Sequence, residues 1–225
     1  MPHFDWKIPL PLRFGHVGNS QMCLARALPD DPQRPVFEAF IQQRFLTAHG
    51  ADIRHFMPEL FGMSDAAGEL FAVAGVRRAS AEPLFLERYL DESIDPLISA
   101  TAGRPVERSG IVEVGNLVAS DTGSARLSII AITYLLAMGG QEWVAFTGNA
   151  GLVNSFHRLG LKPVTLCAAD PARLGDDQHE WGSYYESKPC VHVGNIQAGF
   201  NHLHTTGLFG RLGLTLSGEE SSHVA

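Results

Sequence analysis

Ile111-Val-Glu-Val-Gly-Asn-Leu-Val-Ala-Ser-Asp-Thr-Gly-Ser-Ala-Arg-Leu-Ser128 is the stretch whose reading decides the fold. Ile111 to Val118 is an apolar, β-branched run and predicts a strand, with one carboxylate, Glu113, inside it. Asp121-Thr-Gly-Ser124 is a turn with two candidate N-cap residues, Asp121 and Ser124. It opens a helix predicted over Ala125 to Met138 and closed by Gly139-Gly140. Glu142 to Thr147 then reads as a strand, Gly151 to Leu159 as a helix ended by Gly160, and Lys162 to Ala168 as another strand. This alternation predicts an α/β unit whose neighbouring strands are largely parallel.

Working outward, Pro2, Pro9 and Pro11 give residues 1 to 17 the look of an extended arm. Met22 to Leu28 reads as a strand stopped by Pro29-Asp-Asp-Pro32. A helix fits Val36 to Ala48, with Phe37, Phe40, Ile41, Phe45 and Ala48 on one stripe. Leu70 to Val76 reads as a buried strand, Pro83 to Leu90 and Ile94 to Ala102 as two short amphipathic helices, and Pro189 to Val193 as a final strand. The scattered glycines Gly207, Gly210, Gly213 and Gly218 suggest a loose tail. The expected division is an N-terminal arm and first strand over 1–34, one α/β domain over 35–199 and the tail over 200–225.

Composition excludes several classes. The 225 residues are 45% hydrophobic and 18% charged, ordinary for a globular chain with a substantial core. A formal net charge of -7 with no basic run disfavours nucleic acid as a partner. Cys23, Cys167 and Cys190 are too few for a disulfide framework, which suits reduced thiols in a cytoplasmic protein. No signal peptide is expected at the start. The longest apolar stretch, Leu127 to Met138, is 12 residues, against ~20 for a membrane span. No stable membrane insertion is expected.

Glu113 is the most informative residue. A carboxylate in an apolar strand is costly to bury unless it is paired or used, and burial raises its pKa toward the range of a general base or amine anchor. The alternative is an edge glutamate pointing into water. Free N–H groups at the following helix start form an anion site, with Gly123 allowing close approach and Arg126 adding charge, unless Asp121 or Ser124 simply caps the helix. Cys190, His192, His202 and His204, read at alternate strand positions, lack a recognised zinc spacing, so no metal is expected. Trp181-Gly-Ser-Tyr-Tyr185 suits either a pocket lining or a turn packing its aromatics on the core. Pro83 to Leu90 suits either a lid or a core-packing helix.

The order of elements resembles the GNAT-type acyltransferases, and within them the acyl-homoserine-lactone synthases. More closely, the chain resembles the thermostable hemolysin family of bacteria. The residues carrying this are Glu113-Val-Gly-Asn-Leu117, Trp143-Val-Ala-Phe-Thr147, Asn154-Ser-Phe-His-Arg-Leu-Gly-Leu161, Ala169-Asp-Pro171, Trp181-Gly-Ser-Tyr-Tyr185 and Pro83-Leu-Phe-Leu-Glu-Arg-Tyr-Leu90, within about Pro35 to Gly199. The resemblance implies a GNAT-like mixed central sheet flanked by helices, with splayed central strands that take the pantetheine arm of an acyl donor between them. It implies an N-acyltransferase moving a fatty-acyl group from acyl-CoA or acyl-carrier protein to a small amine. The thioester is a co-substrate and no cofactor is tightly bound. Glu113, Asn116 and Tyr185 are then the catalytic candidates. Leu117, Ala119, Gly123, Ser124, Ala125, Arg126, Thr147, Asn149, Asn154 and Phe156 are the donor contacts. Phe85, Trp181 and Tyr184 are the substrate contacts.

Three departures qualify this. The usual turn has Arg or Gln where this chain has Ser120, and Asp121 would repel a pyrophosphate, so both lean toward a carrier-protein donor. Phe156 stands where many acetyltransferases keep a tyrosine acid. Asn116 stands where the synthases carry arginine, so their acceptor does not carry over. The alternatives are a membrane-active cytolysin, as the family's name suggests, and a catalytically inactive acyl-binding module.

Overall fold

The computed structural model describes residues 6–15 and 21–214. Among the described residues eight strands form one sheet: β1 (Leu12–Phe14), β2 (Met22–Ala27), β3 (Glu59–Ser64), β4 (Leu70–Arg78), β5 (Ile111–Ala119), β6 (Trp143–Gly148), β7 (Val164–Ala168) and β8 (Cys190–Asn195). Their spatial order is β1-β2-β3-β4-β5-β6-β8-β7. The first five run as an antiparallel meander, β5 and β6 pair in parallel, and β8 is antiparallel to both β6 and β7. The helices are α1 (Arg34–His49), α2 (Ile94–Ala102), α3 (Thr122–Met138), α4 (Ala150–Arg158), α5 (Ile196–Thr205) and α6 (Leu208–Arg211). This is a GNAT-like mixed sheet flanked by helices.

Side-chain alternation assigns the two faces. Ala72, Ala74 and Val76 of β4 and Val112 and Val114 of β5 pack with α3, α5 and α6. Val73 packs on the opposite face with Phe37 and Ile41 of α1. On that same side Ile111, Ala145 and Val193 pack with Leu86, Ile94 and Ile98. Gly62 of β3 has no room for a side chain, because a Cβ there would lie 2.4 Å from the Phe37 ring.

Several expectations are corrected. β7 does not neighbour β6: the chain reverses after β7, and β8 returns into the slot between them. The helix expected over 83–90 is a 3-10 turn, Phe85–Tyr89. Strand β3 was not anticipated, being a short buried run interrupted by that glycine. The tail expected from residue 200 carries α5 and α6, packed on α3 through Phe200, Leu203 and Phe209. The cause is α3 itself, buried almost all round from Ser128 to Ala137, so its outer face needs a cover. Ile196, Phe200 and Leu203 sit at helical spacing behind the N-cap Asn195, whose side chain accepts from the Ala198 N–H. Residues 215–225 of the expected tail, and 1–5 and 16–17 of the arm, lie outside the described residues. Trp6 of the arm is buried edge-on against Phe61 and donates to Glu59.

The feature that positions the site is a bulge in β5. Gly115 faces Gly75 and Val118 faces Val73, so Asn116 and Leu117 together oppose one residue of β4. Asn116 takes a left-handed conformation, φ 48°. Its side-chain oxygen accepts from the Met57 N–H at 2.8 Å, fastening the β5 bend to the loop before β3. The Met57 side chain fills the space over the glycine pair, where a Cβ on Gly115 would sit 2.3 Å from it. Beyond Glu113 the parallel ladder ends: β5 and β6 pair only over 111–113 and 143–145 and then part.

Replacing Asn116 by Gly keeps the backbone conformation but removes the clamp, and should cost about 1–2 kcal/mol. Asn116→Val adds the strain of a β-branched residue at positive φ and should cost about 1–3 kcal/mol more. Urea midpoints at constant slope would measure both. Equal midpoints for wild type and Asn116→Val would contradict the bulge's role.

Candidate functional site

The parting of β5 and β6 opens a cavity of about 720 Å³ that residues from both faces of the sheet line. Val114 to Ala119 of β5 form one wall, and Phe146, Thr147 and Gly148 of β6 the other. Ile129, Ile132 and Leu136 of α3, with Phe156 and Leu161, make an apolar region on one face. Phe45 and His49 of α1, Phe85, Tyr89, Trp181 and Tyr184 make an aromatic region on the other.

Glu113 lies at the point where the ladder ends, lines this cavity and is 3% exposed. Its carboxylate accepts from the Phe85 N–H at 2.8 Å and the Leu86 N–H at 3.0 Å. Burial pushes its pKa up to about 7, against the facing Arg77 guanidinium and these two N–H groups, which favour the charged form. It is poised to exchange a proton near neutral pH. The turn bearing Phe85 and Tyr89 is pinned further by Glu87, which accepts from the Leu84 and Ile94 N–H groups and pairs with Arg108 at 2.6 Å. The backbone of the cavity's aromatic wall is thus held by carboxylates at each N–H from Leu84 to Leu86.

The aromatic cluster is continuous. Trp181 lies 5.4 Å from Tyr184, 5.7 Å from Phe85 and 6.0 Å from Phe45 between ring centroids. The Tyr89 and Tyr185 hydroxyls share a short hydrogen bond. Burial raises the pKa of Tyr89, Tyr184 and Tyr185, so all three hydroxyls keep their protons at neutral pH. Burial lowers the pKa of His49 and favours its neutral form.

Of the sequence-predicted residues, Glu113, Asn116, Leu117, Ala119, Thr147, Asn149, Phe156, Phe85, Trp181 and Tyr184 line the cavity. Tyr185 is not among the lining residues and meets Tyr89, which is. Asn154 is exposed on α4 and lies outside the cavity. Asn149 also caps α4, accepting from the Leu152 N–H. Phe156 stacks on Phe146 at 4.8 Å, so a ring fills the place of the tyrosine acid. The Thr147 hydroxyl and the Trp143 indole N–H are buried beside the cavity with no hydrogen-bond partner among the described residues.

The helix start differs from the expected anion site. Gly123, Ser124, Ala125 and Arg126 do not line the cavity. The Gly123 and Ser124 N–H groups donate to the Asp121 carboxylate at 2.6 and 3.0 Å, and the Ser124 hydroxyl donates to its other oxygen. Those bonds hold the Asp121 pKa below the usual range, so the cap is a fixed negative charge. His202 and His204 lie on helix α5 and not on a strand, and His192 is buried between the Thr165 hydroxyl and the Gly148 carbonyl.

Sequence reasoning missed Arg44 and His49 on α1, Met57, Arg77, Tyr89 and Trp143. The α1 stripe was legible, but its last turn faces the cavity and not the core, and no local signal separates the two. Tyr89 and Trp143 lay in quoted motifs, where helical or strand spacing alone reads as packing.

A family model described as thermostable hemolysin matches residues 27–200. No curated protein matches the chain. Among solved structures, the acyl-homoserine-lactone synthase LasI aligns with a TM-score of 0.52 at 9% identity, covering 80% of this chain and 91% of that one. FeeM, an N-acyl amino acid synthase from uncultured soil microbes, aligns at 0.52 and 12% identity, covering 81% and 96%. A putative arylalkylamine N-acetyltransferase from the yellow fever mosquito aligns at 0.52 and 11% identity, covering 84% and 97%. At these identities the likeness is one of fold.

Glu113 makes stability depend on pH. Its folded pKa of about 7 lies above the ordinary 4.5, so its stabilising contribution is full below pH 4.5 and is lost as pH rises toward 7. Relative to Glu113→Gln, wild type should lose up to about 3 kcal/mol between pH 4.5 and 8. Chemical denaturation of both proteins across that range would measure it; a constant difference would refute the buried titration.

Proposed function

The chain belongs to the thermostable hemolysin family, and we propose that it is an N-acyltransferase. It moves a fatty-acyl group from a thioester donor, acyl-CoA or acyl-carrier protein, to a small amine. The observation that carries this reading is the placement of a buried carboxylate, with a pKa near neutrality, where two strands part inside a cavity that crosses the sheet. The named activities of LasI, FeeM and the mosquito enzyme, each on the same fold, support it.

In the reaction the donor's pantetheine arm lies between β5 and β6, beside the unpaired edge of β5. Its acyl chain enters the apolar region against α3 and the amine enters the aromatic region. The amine nitrogen attacks the thioester carbonyl, a C–N bond forms and the C–S bond breaks. Glu113 takes the proton that the nitrogen sheds, and the departing thiolate takes up one proton to become the thiol. Phe156 supplies no acid for that step, so the proton held by Glu113 balances it. Thr147, which lines the cavity and whose hydroxyl has no partner among the described residues, is the group we assign to donate to the thioester oxygen as charge develops there. In this reading the protein works in the cytoplasm, where acyl thioesters are made.

The family's name raises a second reading, direct membrane lysis. No helix among the described residues is long and apolar enough to cross a membrane. An acyl amide is itself surface-active and would account for lysis through the product.

Mass spectrometry of small molecules from cells expressing wild type or Glu113→Gln tests the proposal. A new acyl amide should appear with wild type and fall at least a hundredfold in the variant, with both proteins folded. Equal product from both would remove Glu113 from the mechanism. Dye release from liposomes by purified protein without any acyl donor would favour the lytic reading.

A further inference from the structure

At the open end of the parted strands, Arg44 of α1 lines the cavity and donates through Nη2 to the Ser120 carbonyl at 2.9 Å. Ser120 is the residue between β5 and the helix cap Asp121. A guanidinium has five N–H donors, so most of this one's remain after that bond. No carboxylate among the described residues pairs with Arg44, although the chain carries 24 acidic side chains against 17 basic. The other arginine lining the cavity, Arg77, faces Glu82 and Glu113.

Close by, the place where an anion would ordinarily sit is filled. The Asp121 carboxylate holds the N–H groups of Gly123 and Ser124 and the Ser124 hydroxyl, and it lies close enough to Arg126 to draw on that charge. A second anion at this helix start would lose its hydrogen-bond donors and meet a fixed negative charge. This end of the cavity therefore offers one cation on α1, and the start of α3, next in the chain to the Ser120 that Arg44 holds but outside the cavity lining, refuses anions.

We propose that Arg44 is the phosphate-binding residue of the donor site and that Asp121 discriminates against donors with more than one phosphate there. The ligand chemistry is a single phosphodiester next to a pantetheine arm, which a carrier protein presents. Coenzyme A would place a pyrophosphate against Asp121. This inference rests on the acyltransfer reading and names the donor for the same site.

Three thioesters of one acyl chain test it: the N-acetylcysteamine thioester, which has no phosphate, the acyl-carrier protein and the acyl-CoA. In wild type, kcat/KM should be greatest for the carrier protein. Arg44→Gln should lower the ratio of carrier-protein to N-acetylcysteamine kcat/KM about tenfold, the size of one charge-assisted contact. Asp121→Asn keeps a capping oxygen at the helix start and should raise the ratio of acyl-CoA to N-acetylcysteamine kcat/KM about tenfold. Circular dichroism and thermal midpoints would show that both variants fold. Equal loss with all three donors in Arg44→Gln, or no change in either ratio, would overturn the inference while leaving acyltransfer intact. A fall in the carrier-protein ratio in Lys162→Gln and not in Arg44→Gln would overturn it too, placing the phosphate at another cavity-lining cation that no carboxylate among the described residues pairs with. No turnover of any thioester by wild type would instead overturn the acyltransfer reading beneath it.

Discussion

A β-sheet is held by its ladder, so a place where two neighbouring strands stop bonding each other needs a cause. Here it is the extra residue at Asn116. Its left-handed backbone bends β5, and its amide ties the bend to the loop at Met57. From there the β5 edge facing β6 has no strand to bond, and unpaired backbone N–H and C=O groups are costly to bury dry. The opening must be filled by water or a ligand with complementary groups. An amide-rich, extended pantetheine arm is such a ligand, and its thioester end would reach Glu113 where the ladder resumes.

Glu113 has two duties in this arrangement. It anchors the Phe85–Tyr89 turn through two N–H groups, and it is a proton acceptor in the proposed reaction. Both follow from its burial, since water would screen the contacts and return its pKa to the ordinary range. Protonation weakens its grip on those N–H groups. The aromatic wall carrying Phe85 and Tyr89 is therefore coupled to the proton state of the group it encloses.

The middle of the fold was legible because its signals are local. Strand β5, helix α3, strand β6 and helix α4 each announce themselves by period, cap or glycine, and Glu113 stood out as a carboxylate where apolar residues belong. What escaped was set by contacts distant in sequence. The insertion of β8 between β6 and β7 depends on a reversal through residues 169–189 that carries no pairing code. The helical cover of α3 was masked by Gly207, Gly210 and Gly213, which punctuate the segment after α5 has already packed. At the helix start two readings were open, and the structure shows the capping one, with the Asp121 carboxylate holding the Gly123 and Ser124 N–H groups.

The account turns on the claim that the gap between β5 and β6 receives the donor's arm. Hydrogen exchange of the backbone amides with and without a long-chain alkyl pantetheine thioether, which cannot transfer its chain, tests that most directly. The account predicts slowed exchange in 114–119 of β5 and 146–148 of β6, with little change in β1, β2 and β7. Binding without protection in either segment, or protection confined to another part of the sheet, would contradict it.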